Sequence, residues 1–451
     1  MTKKIAILGA GISGLSFAHY LKKRNPDLDI TVFEKETTLG GNMISENHHG
    51  DLVEWGPRAI RPVGKGRVFL EMVFDLSLQD KLIAANSAAK GRFISVDKKL
   101  QALPKHPLQI FTSPLLKGWF SVLRKELIFK PLSRNQDVSV YDFFKDHVGE
   151  DFVNRIIDPG FSGIYAGNIK RMSAKAVVPK LMGFEEAKGS FIKGFFGQKK
   201  ASNEVPGDFQ GWDRHPMVSL QGGLNTVIQE IVKVHGVTVK SNCQISHIDE
   251  QKGEIISNGE SNVFNHIIST IPSNALAQIT QNVALNSTLL EIEYTKLAAV
   301  NLTFPKGTGF PKGFGFLVPT KENTPLLGCL FNHFIFPDFS PSGQPSLTLM
   351  LGGANNPELL NKTDQEITDI GLQAIKERVG DLPQPSRSLI KRWENAIPHY
   401  TLGHLDRVEK IEKITRNTKL TVGGNFLKGV AVTDCILNAR RWVDANWKSF
   451  N

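Results

Sequence analysis

The chain has 451 residues, 41% of them hydrophobic and 22% charged, and its 54 Lys plus Arg against 44 Asp plus Glu leave a formal net charge of +10. This length and apolar content predict two or three packed domains and exclude a disordered polypeptide. Three isolated cysteines, Cys243, Cys329 and Cys435, exclude a disulfide framework or a CxxC zinc site, and the lack of an h-region or of ~18 uninterrupted apolar residues argues against secretion and a membrane span.

Residues 1–60 read as strand, helix, strand and an extended hairpin. Ile5-Ala6-Ile7-Leu8 is a buried-strand run, Leu15 to Leu21 has helical apolar spacing, and Ile30-Thr31-Val32-Phe33 is a second β-branched run ending at Glu34. Between the first strand and the helix lie Gly9, Gly11 and Gly14, in Leu8-Gly9-Ala10-Gly11-Ile12-Ser13-Gly14. In this GxGxxG spacing the first glycine makes the tight turn, the second lets the backbone approach a pyrophosphate at the helix N-terminus, and the third lets helix and sheet lie close. Glu34, 20 residues after Gly14, is placed to accept hydrogen bonds from both ribose hydroxyls and repels a 2′-phosphate, so the ligand is FAD or NAD. Two features select FAD: the Gly40-Gly41 pair soon after Glu34, and Gly423-Gly424-Asn425-Phe426 with Gly429-Val430-Ala431-Val432 near the other terminus. His48-His49 resembles a metal pair, but adjacent residues in an extended chain face opposite ways, so a hairpin turn is expected and no metal site.

The segment 86–205 is Pro-punctuated, rich in Phe and Trp, and basic. Lys90 to Lys200 holds 20 Lys plus Arg against 10 Asp plus Glu, so the remaining chain, with 34 of each, is neutral. We expect an inserted, mainly helical domain here. Leu115-Leu116-Lys117-Gly118-Trp119-Phe120-Ser121-Val122-Leu123-Arg124-Lys125 and the stretch 191–200 place bulky apolar residues beside cations, as a peripheral contact with an anionic membrane surface requires. No nucleic-acid partner is expected, because no DNA- or RNA-binding motif accompanies the charge. From Leu224 the apolar residues Val227, Ile228, Ile231 and Val232 follow helical spacing, then Val237-Thr238-Val239 reads as a strand. Runs at 297–304, 313–318 and 346–351 predict a second, largely antiparallel sheet, and the last residues return to strand and then helix from Val430 to Ala445. The predicted organisation is α/β: a Rossmann-like FAD-binding domain from 1–85, 206–284 and 396–451, a mixed antiparallel-sheet substrate domain at 285–395, and the helical insertion at 86–205.

With these motifs in view, the sequence resembles the FAD-dependent protoporphyrinogen oxidases, within the wider amine oxidase and phytoene desaturase group of flavoproteins. The matching residues are GAGISGL, Gly40-Gly41, Glu54-Trp55-Gly56-Pro57-Arg58-Ala59-Ile60-Arg61-Pro62, Gly163-Ile164-Tyr165-Ala166-Gly167, Gly222-Gly223-Leu224, Pro398-His399-Tyr400-Thr401-Leu402-Gly403-His404 and GNFLKGVAVTDCI. The resemblance implies one non-covalent FAD held by Gly9, Gly11, Ile12, Ser13, Gly14, Glu34, Lys35, Gly40, Gly41, Asn42, Gly56, Pro57, Arg58, Ile245, Thr270, Gly424, Asn425, Val430, Ala431 and Val432. Asn42 stands where flavin amine oxidases usually carry arginine, which counts against an amine substrate.

The implied reaction is the six-electron oxidation of a porphyrinogen, with hydride transfer to FAD and reoxidation by oxygen to hydrogen peroxide. It needs no certain catalytic acid or base. The residues are asked only to position a flat tetrapyrrole: Arg92 on a propionate, and Phe314, Gly315, Leu317, Leu330 and Met350 against the ring. The resemblance further implies a cytoplasmic enzyme, peripheral on the inner face of the cytoplasmic membrane, that hands its product to the next haem-pathway enzyme, with a homodimer as an allowed assembly. Alternatives are a coproporphyrinogen III oxidase, another FAD-dependent desaturase or amine oxidase, or a binding protein like the Rab GDP-dissociation inhibitors, which share the fold. Retention of Glu34, Gly40-Gly41 and the C-terminal glycines argues against the last.

Overall fold

Ile5, Ala6, Ile7 and Leu8 are wholly buried because their strand, Lys4–Leu8, lies at the centre of a parallel sheet covered on both faces. The structure, a computed structural model, describes residues 3–104, 106, 109, 111–129, 136–190, 193–194 and 205–450. The parallel sheet runs Leu420–Val422, His266–Ser269, Lys4–Leu8, Asp29–Phe33, Thr238–Lys240, so widely separated stretches of chain build one sheet. Helix Ile12–Arg24 follows the first strand directly and ends in Lys22, Lys23 and Arg24, cations that suit a helix C-terminus. It packs against the C-terminal helix Val432–Asn446 through an edge-on contact of Phe17 with Trp442, ring centroids 5.5 Å apart. A three-stranded antiparallel sheet, Ile245–Asp249, Glu254–Ser257 and Glu260–Val263, is an element the hydrophobic pattern alone did not announce.

The second sheet has seven strands in the order Arg387–His399, Glu293–Thr303, Ser346–Gly352, Leu326–Phe331, Gly315–Leu317, Arg92–Val96, Lys99–Ala102. Alternation divides it into two faces. Ala298, Val300, Leu302, Leu347, Leu349, Leu351, Phe316 and Phe331 form one core with Ile367, Leu372 and Ile375 of helix Asp364–Val379, each such buried aliphatic side chain contributing roughly 1.5–3 kcal/mol. That helix starts with a capping box, Thr363 with Glu366, worth ~1 kcal/mol. The other face looks toward the parallel-sheet half of the molecule.

Within the segment 86–205, expected as a mainly helical insertion, the hairpin Arg92–Val96 and Lys99–Ala102 extends the antiparallel sheet. The physical reason is their period of two: Phe93 packs into the sheet-and-helix core, whereas Ile94 turns to the opposite face. Ser95 is buried with them and is tied to Glu322 (2.8 Å) and Arg378 (3.1 Å), whose own ion pair spans 2.6 Å.

The α-helices follow, among them Trp119–Ile128, Val140–Val148, Asp158–Tyr165, Ala174–Val177 and Pro179–Lys188, around a core that includes Val140, Phe143, Phe144, Val153 and Met172. Hydrogen bonds to the sheet and to the segment after it help to seat this bundle. The Asp158 carboxylate accepts from Thr320 N–H (2.7 Å) and the Thr320 hydroxyl (2.9 Å), and Ser173 N–H donates to the Tyr400 carbonyl (2.8 Å). Asn168 N–H donates to His399 Nε2 (3.2 Å). His48 and His49 end a β-hairpin, Ser45–His48 with Asp51–Glu54.

His404 stacks on Tyr400, ring centroids 4.0 Å apart, and its Nε2–H donates to the Leu427 carbonyl at 2.9 Å. Burial pushes the imidazole down to about 4, so the folded chain excludes a proton that the unfolded chain accepts below an ordinary histidine value of about 6.5. The stability this supplies is full above about 6.5 and lost as the pH falls toward 4. Thermal midpoints measured across that window should fall with acid in the wild type and fall less steeply in His404→Asn; identical slopes would remove His404 from the account.

Candidate active site

The ends of the first two parallel strands build a cradle from backbone. Gly9, at φ +96°, donates its N–H to the Phe33 carbonyl (2.8 Å), and a Cβ on Gly14 would lie 2.0 Å from the Gly9 carbonyl oxygen. Gly11 faces the glycine pair: a Cβ there would point into the gap, 3.8 Å from the Gly40 oxygen and 3.8 Å from the Gly41 Cα. Gly40 N–H donates to the Ala10 carbonyl (3.0 Å), locking the two turns together. Beside them Glu34, 8% exposed, accepts Ala10 N–H at 2.9 Å and Glu36 N–H at 3.0 Å. Cys243 N–H donates to the Glu34 carbonyl (2.9 Å), which brings the strand beginning at Ile245 alongside, while Lys35 stays in solvent with Glu36 (3.3 Å).

The other end of the chain returns to the same place. Thr270 Oγ1 donates to the Leu8 carbonyl (2.9 Å), Gly423 N–H donates to the Ser269 carbonyl (2.7 Å), and Gly424 turns at φ +103°. After Val430, Ala431 is the N-cap and Val432 the first residue of the C-terminal helix. The Ser13 hydroxyl meets the Cys435 thiol, so the first turns of two helices lie side by side. The Asn425 carbonyl accepts from the Tyr400 hydroxyl.

These residues fit a dinucleotide with free ribose hydroxyls. Side-chain-free backbone lines the gap, two helix N-termini favour anionic phosphate, and the acceptor at the second strand is a carboxylate. A side chain on Gly11 would fill the space a pyrophosphate needs.

Two loops lead from this cradle to the antiparallel sheet. Asn42 Nδ2 donates to the Ala396 carbonyl (3.1 Å), and Gly56 is required because a Cβ would sit 1.9 Å from the Asn42 oxygen. After Pro57, Arg58 is buried, with Nη1 on Asn332 Oδ1 (2.5 Å) and Thr348 Oγ1 (3.1 Å) and Nη2 on the Glu54 carbonyl (3.3 Å). It braces loop against sheet.

On the sheet, Gly315 pairs with Arg92 on one side and Leu330 on the other, and Leu317 pairs with Gly328, which pairs in turn with Met350. Gly315, Leu317, Leu330 and Met350 therefore share the face opposite the core, with Phe314 beside them. A Cβ on Gly315 would lie 2.1 Å from the Cys329 carbonyl oxygen. The Arg92 guanidinium lies over the Phe314 ring, 5.3 Å from its centroid, is exposed, and makes no hydrogen bond or ion pair among the described residues. Leu317 also meets helix Asp158–Tyr165 at Gly163, where a Cβ would be 2.4 Å from Leu317 Cδ2.

Sequence reading gave no role to two further residues that hold the loops. Asn225 Nδ2 donates to the carbonyls of Leu39 (3.0 Å) and Met43 (2.6 Å), fixing the glycine pair. Glu54, 5% exposed, accepts from Leu224 N–H (2.8 Å) and the Ser45 hydroxyl (2.7 Å), and burial pushes its carboxyl up to about 7. A signal existed for Glu54, an acid beside Val53 in a short strand run; none existed for Asn225, whose partners are distant backbone carbonyls.

Compared with known proteins, residues 12–445 match the family model for flavin containing amine oxidoreductases. The chain is 26% identical to a protoporphyrinogen oxidase of Dictyostelium discoideum, covering 99% of each, and 26% identical to a coproporphyrinogen III oxidase of Staphylococcus aureus, covering 98% of each. A crystal structure from an Exiguobacterium species, provisionally described as a protoporphyrinogen oxidase, superposes with a TM-score of 0.83 over 100% of this chain and 99% of that one, at 23% identity, a likeness of fold. A matching family model over almost the whole length, together with a cradle suited to a flavin dinucleotide, places this chain in the flavin containing amine oxidoreductase family as an FAD-dependent oxidoreductase.

Proposed function

We propose that the chain oxidises protoporphyrinogen IX to protoporphyrin IX in haem biosynthesis, passing electrons to FAD and then to oxygen. The observation that carries this reading is Arg92, without a polar partner among the described residues, at the edge of an apolar sheet face. A flat macrocycle with propionates on one edge needs that pairing of surfaces: a planar cation fork for carboxylate and apolar walls for the ring. On the strands of the same sheet, Arg387 is committed to Asp51, Thr303 and the His48 carbonyl, and Lys391 lies over the Trp393 ring. The coproporphyrinogen III reading, which the Staphylococcus relative's name raises, asks for cations to meet four propionates in place of two.

FAD, when bound, supplies the hydride acceptor that oxygen returns to its oxidised state with release of hydrogen peroxide. The chain's residues supply position. Glu34 would hold the ribose, Gly11 with Gly40 and Gly41 the pyrophosphate, and Gly56, Pro57, Asn425 and residues 430–432 the inner end. Phe314, Leu317, Leu330 and Met350 would exclude water from the ring faces, and Gly315 leaves room for the reacting bridge carbon.

A second surface suits a cytoplasmic enzyme docked peripherally on an anionic bilayer. Phe111 (67% exposed), Phe120 (69%) and Ile128 (70%) protrude on and beside helix Trp119–Ile128, next to exposed Lys117, Arg124 and Lys125. Each such cation near the surface is worth ~1 kcal/mol with anionic lipid. Among the described residues no helix is long and apolar enough to cross a membrane. Of the stretch 191–200, also expected at this surface, only Lys193 and Gly194 lie within the described residues. A bilayer would supply the sparingly soluble substrate and take part in handover of the product.

Four measurements test these readings. Purified Glu34→Ala should retain FAD about tenfold less tightly or worse, the loss expected from a charged acceptor; unchanged retention would remove Glu34 from the ribose. Arg92→Ala should raise KM for protoporphyrinogen IX about tenfold or more with kcat little changed, and anaerobic flavin bleaching should be faster with protoporphyrinogen IX than with coproporphyrinogen III. The reverse order would transfer the assignment to the tetracarboxylate. Flotation with phosphatidylglycerol vesicles should exceed that with phosphatidylcholine and drop several-fold in Phe120→Ser/Ile128→Ser; equal flotation of variant and wild type would sink the docking surface.

A further inference from the structure

Glu54 is buried beside the substrate face. It lines a cavity with Arg58, Asn332, Ile335, Phe336 and Phe339. The apolar wall of that cavity, Ile335, Phe336 and Phe339, is one cluster with Phe314 and Leu330, the residues assigned to the macrocycle. On its other side Glu54 pairs across the hairpin with half-buried Ser45, whose hydroxyl bonds its carboxyl at 2.7 Å and accepts Asn225 N–H at 3.3 Å. Gly223, at φ +88°, makes room: a Cβ there would lie 2.3 Å from Ser45 Oγ and 2.7 Å from Glu54 Oε1.

The groups facing this carboxyl are few. From its own loop Arg58 contributes a positive charge, from the paired strand Ser45 a hydroxyl, and from the start of helix Asn225–His235 Leu224 contributes an N–H; all three hold the carboxyl down while burial outweighs them. Asn332 and Thr348, on the sheet side, are occupied with the Arg58 guanidinium. The balance lets Glu54 titrate at about 7, where a group gives and takes a proton with similar ease. Ser45 is both donor and acceptor, so the Glu54–Ser45 bond survives in either protonation state.

We propose that Glu54 holds the proton the substrate loses in each two-electron step until the step with oxygen consumes it. The proposal rests on the porphyrinogen reading. In each round a bridge C–H bond breaks with its hydride passing to FAD, and one proton leaves the macrocycle for the Glu54 carboxylate. Over three rounds those protons come from two pyrrole N–H groups and, after tautomerisation, one further bridge carbon. Oxygen takes each hydride together with the stored proton, hydrogen peroxide departs, and Glu54 is again a carboxylate. Six hydrogens leave the substrate and three molecules of peroxide form.

Glu54→Gln preserves the outline of the site, since the amide oxygen can accept Leu224 N–H and its NH2 can donate to Ser45. In wild-type holoenzyme without substrate, infrared difference spectra should reveal a carboxyl C=O band that titrates at about 7 and is missing from Glu54→Gln. In anaerobic stopped flow with protoporphyrinogen IX, wild-type bleaching should accelerate as pH rises through that value. The variant should be slower by on the order of a hundredfold and flat across it. If no carboxyl of the wild type titrates there, or if both proteins bleach at the same rate with the same pH profile, the role of Glu54 is refuted while the porphyrinogen reading stands. If protoporphyrinogen IX bleaches neither protein, the porphyrinogen reading fails and takes the proposal with it.

Discussion

Helix Ile12–Arg24 lies so close to the first strand that the Gly9 carbonyl occupies the place of a Cβ on Gly14, and the rest of the molecule depends on that approach. It aims the helix N-terminus past the end of the sheet, at the gap between Gly11 and Gly41. The C-terminal helix then packs along the first one and opens beside it, with Ser13 against Cys435. Two helix termini and a buried carboxylate make this corner an anion and ribose site before any ligand is considered. A side chain on Gly14 would collide with the Gly9 carbonyl, a cost no side-chain adjustment relieves, whereas one on Gly11 would intrude on the open gap.

The second constraint is how the antiparallel sheet divides its faces. One face is closed by helix Asp364–Val379 and becomes ordinary core. The other is left to Gly315, Leu317, Leu330 and Met350, capped at one end by Gly163 and at its edge by Arg92. Buried polar residues hold the two halves in register: Arg58 spans from the loop to Asn332 and Thr348, Asn42 reaches Ala396, and Asn225 pins the glycine loop. A buried arginine is costly to desolvate, and burial pushes its guanidinium down to about 10, still charged at neutral pH. Its acceptors on both the loop and the sheet make it a brace.

The segment Pro398-His399-Tyr400-Thr401-Leu402-Gly403-His404 joins three parts at once. His399 accepts from Asn168, the Tyr400 carbonyl from Ser173, the Tyr400 hydroxyl donates to Asn425, and His404 donates to Leu427. Helical bundle, sheet and C-terminal cofactor loop therefore share one anchor. This gives the motif a structural cause.

The sequence by itself determined what is local. The βαβ unit, its glycines and Glu34 are legible because strand, turn and helix are contiguous and each residue's task is set by its neighbours. The resemblance carried this to Arg92, Phe314, Leu317, Leu330 and Met350. Only the tertiary structure decided what depends on distant partners. The Arg92–Ala102 hairpin joins the antiparallel sheet because Gly315–Leu317, over 200 residues later, offers it a parallel partner. Arg58 is a brace because Asn332 and Thr348 stand within reach, and Glu54 titrates at about 7 because the fold closes around it and leaves it one neighbouring charge. Burial and long-range hydrogen bonds are properties of the packed chain, and no spacing of residues along the sequence encodes them.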